Sequence, residues 1–264
     1  MRLLLLALVS TVTATAAQAQ ELRPLCADRP GLGTPSCTVD PGHVVAELGL
    51  ADWTHDADGI ERSDDWIAGD LLVRIGVTPR LEVQAGWTGY GATRSRPVSG
   101  GAASRESGTG DITLALRRNL SNPDGSGFSA ALMPFATLPA GGHAIGAGDW
   151  GAGLVAPLSY SIGRFSVALT PEIDAAVDAD RRGRHLAFGS VAGFGIALGG
   201  TVNSAFEIQA MRDEDPGGHA TQILASASLA WQPRGDLQLD AGAVAGLNAA
   251  SPDVELYIGI SRRF

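Results

Sequence analysis

The final stretch of the sequence, VELYIGISRRF, alternates between large apolar side chains and small or polar ones. Val254, Leu256, Ile258 and Ile260 occupy every second position. Successive side chains of a β-strand point to opposite faces, so a period of two predicts a strand whose two faces meet different environments. The alternation continues up to Phe264, a place where most soluble domains fray, and this favours a strand that is held at its end.

The same alternation recurs along the chain from residue 43 onward. Each repeat sets bulky apolar residues on one face and small, polar or charged residues on the other. About twelve such strands are predicted, an even number as in single-chain bacterial outer-membrane barrels. The apolar faces begin at Val44, Leu71, Leu81, Ile112, Phe128, Trp150, Phe165, Leu186, Val202, Ile223, Leu237 and Val254.

The predicted connections alternate between long and short. Long connections at one end and tight turns at the other are typical of outer-membrane barrels, whereas a soluble sandwich has no reason to segregate them. The fold class is therefore all-β: a transmembrane, antiparallel, up-and-down β-barrel over residues 43–264. The long connections cover residues 54–65, 91–109, 140–148, 178–185 and 212–219, and the short ones cover residues 78–80, 161–164, 199–201 and 233–236.

Residues 186–206 carry no formal charge and raise the alternative of a membrane-spanning helix. Five glycines fall in this window, and each costs a helix roughly 1 kcal/mol relative to alanine. The alternation of apolar and small residues instead favours two strands joined by a turn at Gly199 and Gly200.

The amino-terminal stretch MRLLLLALVSTVTATAAQAQ has the features of an export signal, because a basic residue and an apolar run precede a small-x-small cleavage pattern. We expect residues 1–19 to be a signal peptide, residues 20–42 a periplasmic segment, and the barrel to lie in the cell outer membrane. Cys26 and Cys37 are expected to form a disulfide in that segment, because the periplasm is oxidising. A metal site is the alternative for the two cysteines, with only His43 nearby in the sequence as a further ligand.

The inner face of the predicted barrel is rich in charge. The whole sequence has 28 acidic and 19 basic residues, which argues against nucleic acid as a partner. Carboxylates around a water-filled lumen would favour cations. Alternatively, residues 20–42 enter the lumen, and Arg23 and Arg29 pair with some of the carboxylates. The candidate lumen-lining residues are Glu47, Asp70, Arg74, Glu82, Asp111, Arg117, Glu172, Asp174, Glu207, Asp240, Glu255 and Arg263.

Several stretches of the sequence resemble one known family. They are LCADRPGLGTPSCTVDPGHVVAELGLADW, GTGDITLALRR, GAGDWGAG and ELYIGISRRF. In these stretches the sequence is similar to outer-membrane transporters named after the meta-cleavage pathway of phenol degradation. The resemblance implies a barrel with a transport role for small molecules, small aromatic or apolar compounds among them, and it supplies no binding residues.

Phe264 resembles the carboxy-terminal signal by which outer-membrane proteins are recognised for assembly. Such signals usually carry a second aromatic residue two positions earlier, where this sequence has Arg262. An arginine at the membrane rim can extend its charge to the lipid headgroups while its stem stays in the apolar region. Outer-membrane lipid, the assembly machinery and a small-molecule solute are therefore the expected partners.

Three classes of function remain open at this point. A passive channel or transporter for small molecules is the leading hypothesis, and the alternatives are a structural or surface-interaction barrel with a filled lumen and an enzyme acting on lipid. An enzyme would need a Ser-His pair oriented by a third polar group, and no spacing indicates one. No catalytic residue, cofactor or metal ligand is therefore predicted, although divalent-ion binding by the acidic residues of 54–65 stays open.

Overall fold

The computed structural model of the protein describes residues 22–142 and 144–264. The predicted signal peptide, residues 1–19, lies outside the described residues. Within them the chain forms fourteen strands: β1 (Val44–Ala57), β2 (Glu61–Thr78), β3 (Leu81–Pro97), β4 (Ser104–Gly108), β5 (Ile112–Ser121), β6 (Phe128–Leu138), β7 (Gly151–Val155), β8 (Leu158–Ile162), β9 (Phe165–Val177), β10 (Arg184–Gly199), β11 (Val202–Asp213), β12 (Ala220–Arg234), β13 (Leu237–Gly246) and β14 (Val254–Arg263).

Neighbouring strands pair antiparallel around a closed ring. β14 pairs with β1, where Arg263 lies opposite Val45, and β9 pairs with β10, so that the ring is complete. β7 and β8 follow one another between β6 and β9, so together they occupy one strand position of the ring. β4 pairs only with residues 91–95 at the far end of β3 and is not part of the ring. Over the described residues the ring therefore has twelve positions, and the predicted antiparallel, up-and-down β-barrel is confirmed.

The barrel wall is apolar outside and polar inside, which is the reverse of a soluble protein. The outward side chains of Phe188 and Ile258 are 43% and 49% exposed, whereas the inward Arg74 and Arg117 are 0% exposed. Water against the apolar outer face would be unfavourable by about 25 cal/mol per Å² of area, so this surface is suited to lipid. The predicted outer-membrane location is confirmed.

The strands extend beyond the membrane at the end that carries the long connections. β2 has 18 residues and β3 has 17, against about 9–11 needed to cross the hydrocarbon core. Residues 54–65 and 91–109, predicted as loops, are largely strand: β1 and β2 continue to a tip at residues 58–60, and β4 pairs with β3. Outside the bilayer both faces of a strand meet water, so the alternation that marks a spanning strand is lost.

The uncharged stretch 186–206 forms β10, a turn and the beginning of β11. Phe194 lies opposite Phe206 across the two strands, and Gly199 pairs with Val202 at the turn. The predicted hairpin is therefore confirmed. None of the described residues belongs to a helix that could cross a membrane.

Residues 22–42, which we call the plug, precede β1 and cross the interior of the barrel. The plug has no strand, and the predicted disulfide between Cys26 and Cys37 closes it into a loop, with the two Cα atoms 6.6 Å apart. Its contacts reach inward-facing residues on distant strands, among them Ser159 of β8 and Asp240 of β13. The sequence predicted a periplasmic segment here and left open whether it enters the lumen, and the structure places residues 22–42 inside the ring of strands.

Gly76 of β2 marks a place where the plug lies directly against the wall. A Cβ atom added to Gly76 would overlap the backbone carbonyl groups of Val39 and Asp40. Glycine removes this conflict because it has no Cβ, and the amide of Gly42 can then donate a hydrogen bond to the carbonyl oxygen of Gly76 at 2.9 Å.

We expect the substitution Gly76→Ala to destabilise the folded protein by about 1–3 kcal/mol, because the added methyl group forces the plug or the strand to move. Gly86 of β3 also faces inward, and a Cβ atom there would lie 3.7 Å from its nearest neighbour, so Gly86→Ala is the matched control with a change below about 0.5 kcal/mol. The temperature at which the compact form is lost on unheated gels measures both variants. Equal temperatures would contradict the close seating of the plug.

Candidate functional site

A group of five buried or half-buried charged side chains, which we call the ion network, joins the plug to the wall: Asp28, Glu47 of β1, Arg74 of β2, Glu82 of β3 and Arg117 of β5. The four wall members are at most 1% exposed. Arg74 lies 2.8 Å from Asp28, 3.1 Å from Glu47 and 3.0 Å from Glu82. Arg117 lies 2.6 Å from Asp28 and 3.3 Å from Glu82.

The plug supplies a carboxylate that the wall needs. A buried ion costs several kcal/mol unless a well-placed opposite charge offsets the loss of water, and Asp28 contacts both buried guanidinium groups. Burial alone would raise the pKa of Asp28, but Arg117 and Arg74 outweigh this effect and hold the pKa below its ordinary value. Asp28 is therefore ionised at neutral pH and takes part in the charge balance of the wall.

Wall carboxylates also accept hydrogen bonds from backbone amides of the plug. Glu47 accepts the N–H groups of Asp28 and Arg29, both at 2.9 Å, and Glu82 accepts the N–H of Val39 at 2.7 Å. Backbone groups that leave water need such partners, and a segment without secondary structure cannot supply them internally. Hydrogen bonds to ionised acceptors are among the stronger ones. The polar wall therefore supplies the hydrogen-bond partners that neighbouring strands would supply in a sheet.

The middle of the plug is attached on the other side of the barrel. Glu207 of β11 accepts the N–H groups of Leu32 at 2.7 Å and Gly33 at 3.1 Å. Between these two sides, the hydroxyl of Tyr257 on β14, the strand paired with β1, donates to the carbonyl oxygen of Pro30 at 2.5 Å. The plug thus spans the lumen from the ion network to the opposite wall.

Asp240 and Arg263, which the sequence also proposed as lumen-lining, contact residues 23–29, which we call the base of the plug. Asp240 of β13 forms an ion pair with Arg29 at 3.1 Å. Arg263 donates to the backbone carbonyl of Arg23 at 2.6 Å, at the end of the barrel where the tight turns lie. Phe264 faces outward beside it and is 63% exposed, a position suited to the membrane rim, and its role as an assembly signal stays a prediction.

The remaining predicted lumen residues lie on the side of the plug that faces the long connections. Asp70 accepts a hydrogen bond from the hydroxyl of Thr88 at 2.8 Å, Glu172 neighbours Asp174, and Glu255 neighbours Asp52. Asp111 precedes β5 and differs from the others, because its carboxylate accepts the amides of Gly141 at 2.9 Å and Ala147 at 2.7 Å. Asp111 therefore organises the connection after β6.

The structure thus divides the predicted lining residues into three groups: those that bind the plug, the acidic residues above it, and Asp111 in a connection. Sequence reasoning missed Asp28, the plug carboxylate on which both buried arginines depend, because a segment without periodicity gives no sign of where its side chains point. It also did not name Tyr257 and Asp52 among the lumen-lining residues. Tyr257 could have been found, since it occupies an inward position in the alternation of β14.

Three side chains with metal-ligand chemistry converge near the ends of β9 and β10: Asp178, His185 and Asp215. His185 Nδ1 lies 2.9 Å from Asp178 and 3.4 Å from Asp215, and Nε2 lies 2.9 Å from Asp213. These contacts tie together the connections that follow β9 and β11. Across residues 22–142 and 144–264 this is the one such group, and the acidic residues of 54–65 do not assemble into another.

The substitution Asp28→Asn tests the dependence of the wall on the plug. It leaves Arg74 and Arg117 short of one buried counter-charge, a loss of about 3–5 kcal/mol for a broken buried pair. We expect the plug to become accessible, so that limited proteolysis of the folded barrel cuts within residues 22–42 faster than in the wild type. Asp253→Asn, at an exposed position between β13 and β14, is the control and should leave the cleavage rate unchanged.

The lowered pKa of Asp28 predicts that protection of the plug depends on pH, and the same variant tests this. The folded-state pKa of Asp28 is lowered, so its contribution is complete above about pH 4 and is lost only as the pH falls through the lowered pKa. Proteolysis with an acid-active protease should therefore show the wild-type plug protected at pH 5 and released at lower pH. In Asp28→Asn this step should be missing, and an identical pH profile in both proteins would refute the assignment.

Solved structures with a similar fold include a NanC porin and a KdgM porin in complex with disordered oligogalacturonate. The NanC porin is 8% identical, with a TM-score of 0.51 over 83% of this chain and 98% of that one. The KdgM porin is 9% identical, with a TM-score of 0.50 over 81% of this chain and 98% of that one. At these identities the likeness concerns the fold, and no curated protein matches the chain. A profile of the family described as "Putative MetA-pathway of phenol degradation" matches residues 27–264, and the chain therefore belongs to this family.

Proposed function

We propose that the protein is a passive outer-membrane channel or transporter for small solutes, and that the plug controls passage through it. The observation that carries the proposal is the way in which the lumen is filled. The plug meets the wall through hydrogen bonds and ion pairs, and cavities of about 190 and 210 Å³ stay open beside it. A barrel with twelve positions lies between small packed barrels and wide aqueous pores, so a movable segment can decide whether it conducts.

The charge of the inner wall favours cations and small polar solutes. Above the plug the wall carries carboxylates, whereas the buried arginines Arg74 and Arg117 are engaged by Asp28, Glu47 and Glu82. A ring of carboxylates raises the local concentration of cations and repels anions. The carboxylates above the plug are Asp52, Asp70, Glu172, Asp174 and Glu255.

A structural barrel with a permanently filled lumen is the second candidate. It is favoured by the complete burial of Arg74, Glu82 and Arg117, since a path through the ion network would have to break several buried ion pairs. An enzymatic role has less support from the described residues. Their histidines contact carboxylates or a backbone carbonyl, as His55 contacts Asp64, and form no Ser-His pair there.

Reversal potentials in planar bilayers test the channel function. With KCl at unequal concentrations on the two sides, we expect the wild-type protein to conduct K⁺ in preference to Cl⁻, and the preference should weaken at high salt as the charges are screened. Heat-denatured protein is the control for leakage. Anion selectivity would overturn the acidic-lumen interpretation, and a lack of conductance in both the wild type and Asp28→Asn would favour the structural barrel.

A further inference from the structure

Two cavities meet at the plug on the side of the barrel formed by β9, β10 and β11. The lower cavity, of about 310 Å³, lies among the tight turns, and the upper cavity, of about 190 Å³, lies on the other side of residues 30–33. The wall residues concerned are Ser166, Gly195 and Ala205 for the lower cavity and Ala168, Gly193 and Glu207 for the upper one.

These wall residues are consecutive inward positions on three neighbouring strands. In the sheet, Gly195 pairs with both Ser166 and Ala205, and two residues further along Gly193 pairs with both Ala168 and Glu207. Because side chains alternate between the faces of a strand, no other wall side chain lies between the two cavities along these strands. The plug is therefore what separates them.

The two sides of the lumen differ in what they leave open. Beside β1 and β2 a cavity of about 210 Å³ also adjoins the plug, but the four wall members of the ion network are at most 1% exposed, so the network itself leaves no gap between plug and wall. Beside β9, β10 and β11 the wall residues are mostly Gly, Ala and Ser, which leave space next to the plug. Ser228, also in the lower cavity, is 4% exposed, and its hydroxyl has no hydrogen-bond partner among the described residues. A buried hydroxyl without a partner indicates a place for a polar occupant.

Glu207 stands at the junction of the two cavities. Its carboxylate accepts the amides of Leu32 and Gly33 and, at 3.0 Å, the hydroxyl of Ser226. The plug approaches so closely that a Cβ atom on Gly31 would lie 2.8 Å from Glu207 Oε1, and one on Gly33 would lie 3.2 Å from it. Glycine at these two positions lets the plug close onto the carboxylate.

We infer that solutes pass between the wall of β9, β10 and β11 and residues 30–35 of the plug, and that Glu207 closes this route and selects for charge. The inference rests on the proposed channel function. When residues 30–35 withdraw, the carboxylate of Glu207 exchanges two amide partners for a small cation or for the donor groups of a polar solute. The disulfide between Cys26 and Cys37 joins the chain on either side of residues 30–35. These residues can therefore move as a closed loop while Asp28 stays attached to the ion network.

The substitution Glu207→Gln tests both parts of the inference with K⁺ and Cl⁻ as probes. The glutamine has no charge and offers one carbonyl oxygen to two amides, so we expect the fraction of time spent conducting to rise by at least about threefold. The permeability ratio of K⁺ to Cl⁻ should fall toward unity, because the fixed charge at the narrow point is gone. Glu106→Gln, on the exposed strand β4 outside the lumen, is the matched control and should behave as the wild type.

A second pair of variants tests the route without touching the hydrogen bonds of the plug. Ala168→Leu fills the junction from the wall and should reduce the K⁺ conductance to about half or less, because the added volume lies in the upper cavity. Ala175→Leu places the same side chain on the outer, lipid-facing side of the same strand and should leave the conductance unchanged. The mobility shift on unheated gels shows that each variant has folded.

The outcomes separate this inference from the proposed function. A wild-type protein that conducts, with Glu207→Gln and Ala168→Leu indistinguishable from their controls, would overturn the route and leave the channel function standing. Failure of the wild type and of Asp28→Asn to conduct at all would refute the channel function itself, and with it the route. A change in selectivity in Glu207→Gln together with a loss of conductance in Ala168→Leu would support both.

Discussion

Two arginines with no exposed surface constrain the interior of this barrel. Arg74 and Arg117 project from the wall into a space that is too narrow to hydrate them, and a buried charge without a partner costs several kcal/mol. The wall supplies Glu47 and Glu82, and the plug supplies Asp28. The plug and the wall are therefore a single electrostatic unit, in which a segment without secondary structure is ordered by the charges of the sheet around it.

The membrane sets the other constraint, because it removes water from the outer face and so requires every strand to have two hydrogen-bonded neighbours. The closed ring meets this requirement, and the alternation of side chains then sends most polar residues of the spanning strands to the lumen, with outward arginines such as Arg118 and Arg262 near the strand ends. A polar lumen cannot be filled by an apolar core. It can be filled by water or by a segment that offers amides and charges, and here residues 22–42 offer both.

The sizes of the inward side chains make the lumen asymmetric. Near β1, β2, β3 and β5 they are long and charged, and they bury the base of the plug. Near β9, β10 and β11 they are small, and the plug is held by Glu207 and a few further hydrogen bonds beside open space. A net contribution of a few kcal/mol from such bonds is small enough for thermal opening, whereas the ion network is not. In the proposed channel, this difference places the movement of the plug beside β9, β10 and β11 and its attachment beside β1, β2, β3 and β5.

The sequence by itself determined the faces of the strands, the barrel class, the hairpin at 186–206 and the residues available for a disulfide, because each of these depends on local periodicity or on composition. Only the tertiary structure decided that residues 22–42 enter the lumen and that Asp28 completes the ion network. It also decided that Asp111 organises a connection and that the predicted loops 54–65 and 91–109 are largely strand. These features depend on which side chains meet across the ring, and such partners lie far apart in the sequence, so no local pattern of residues specifies them.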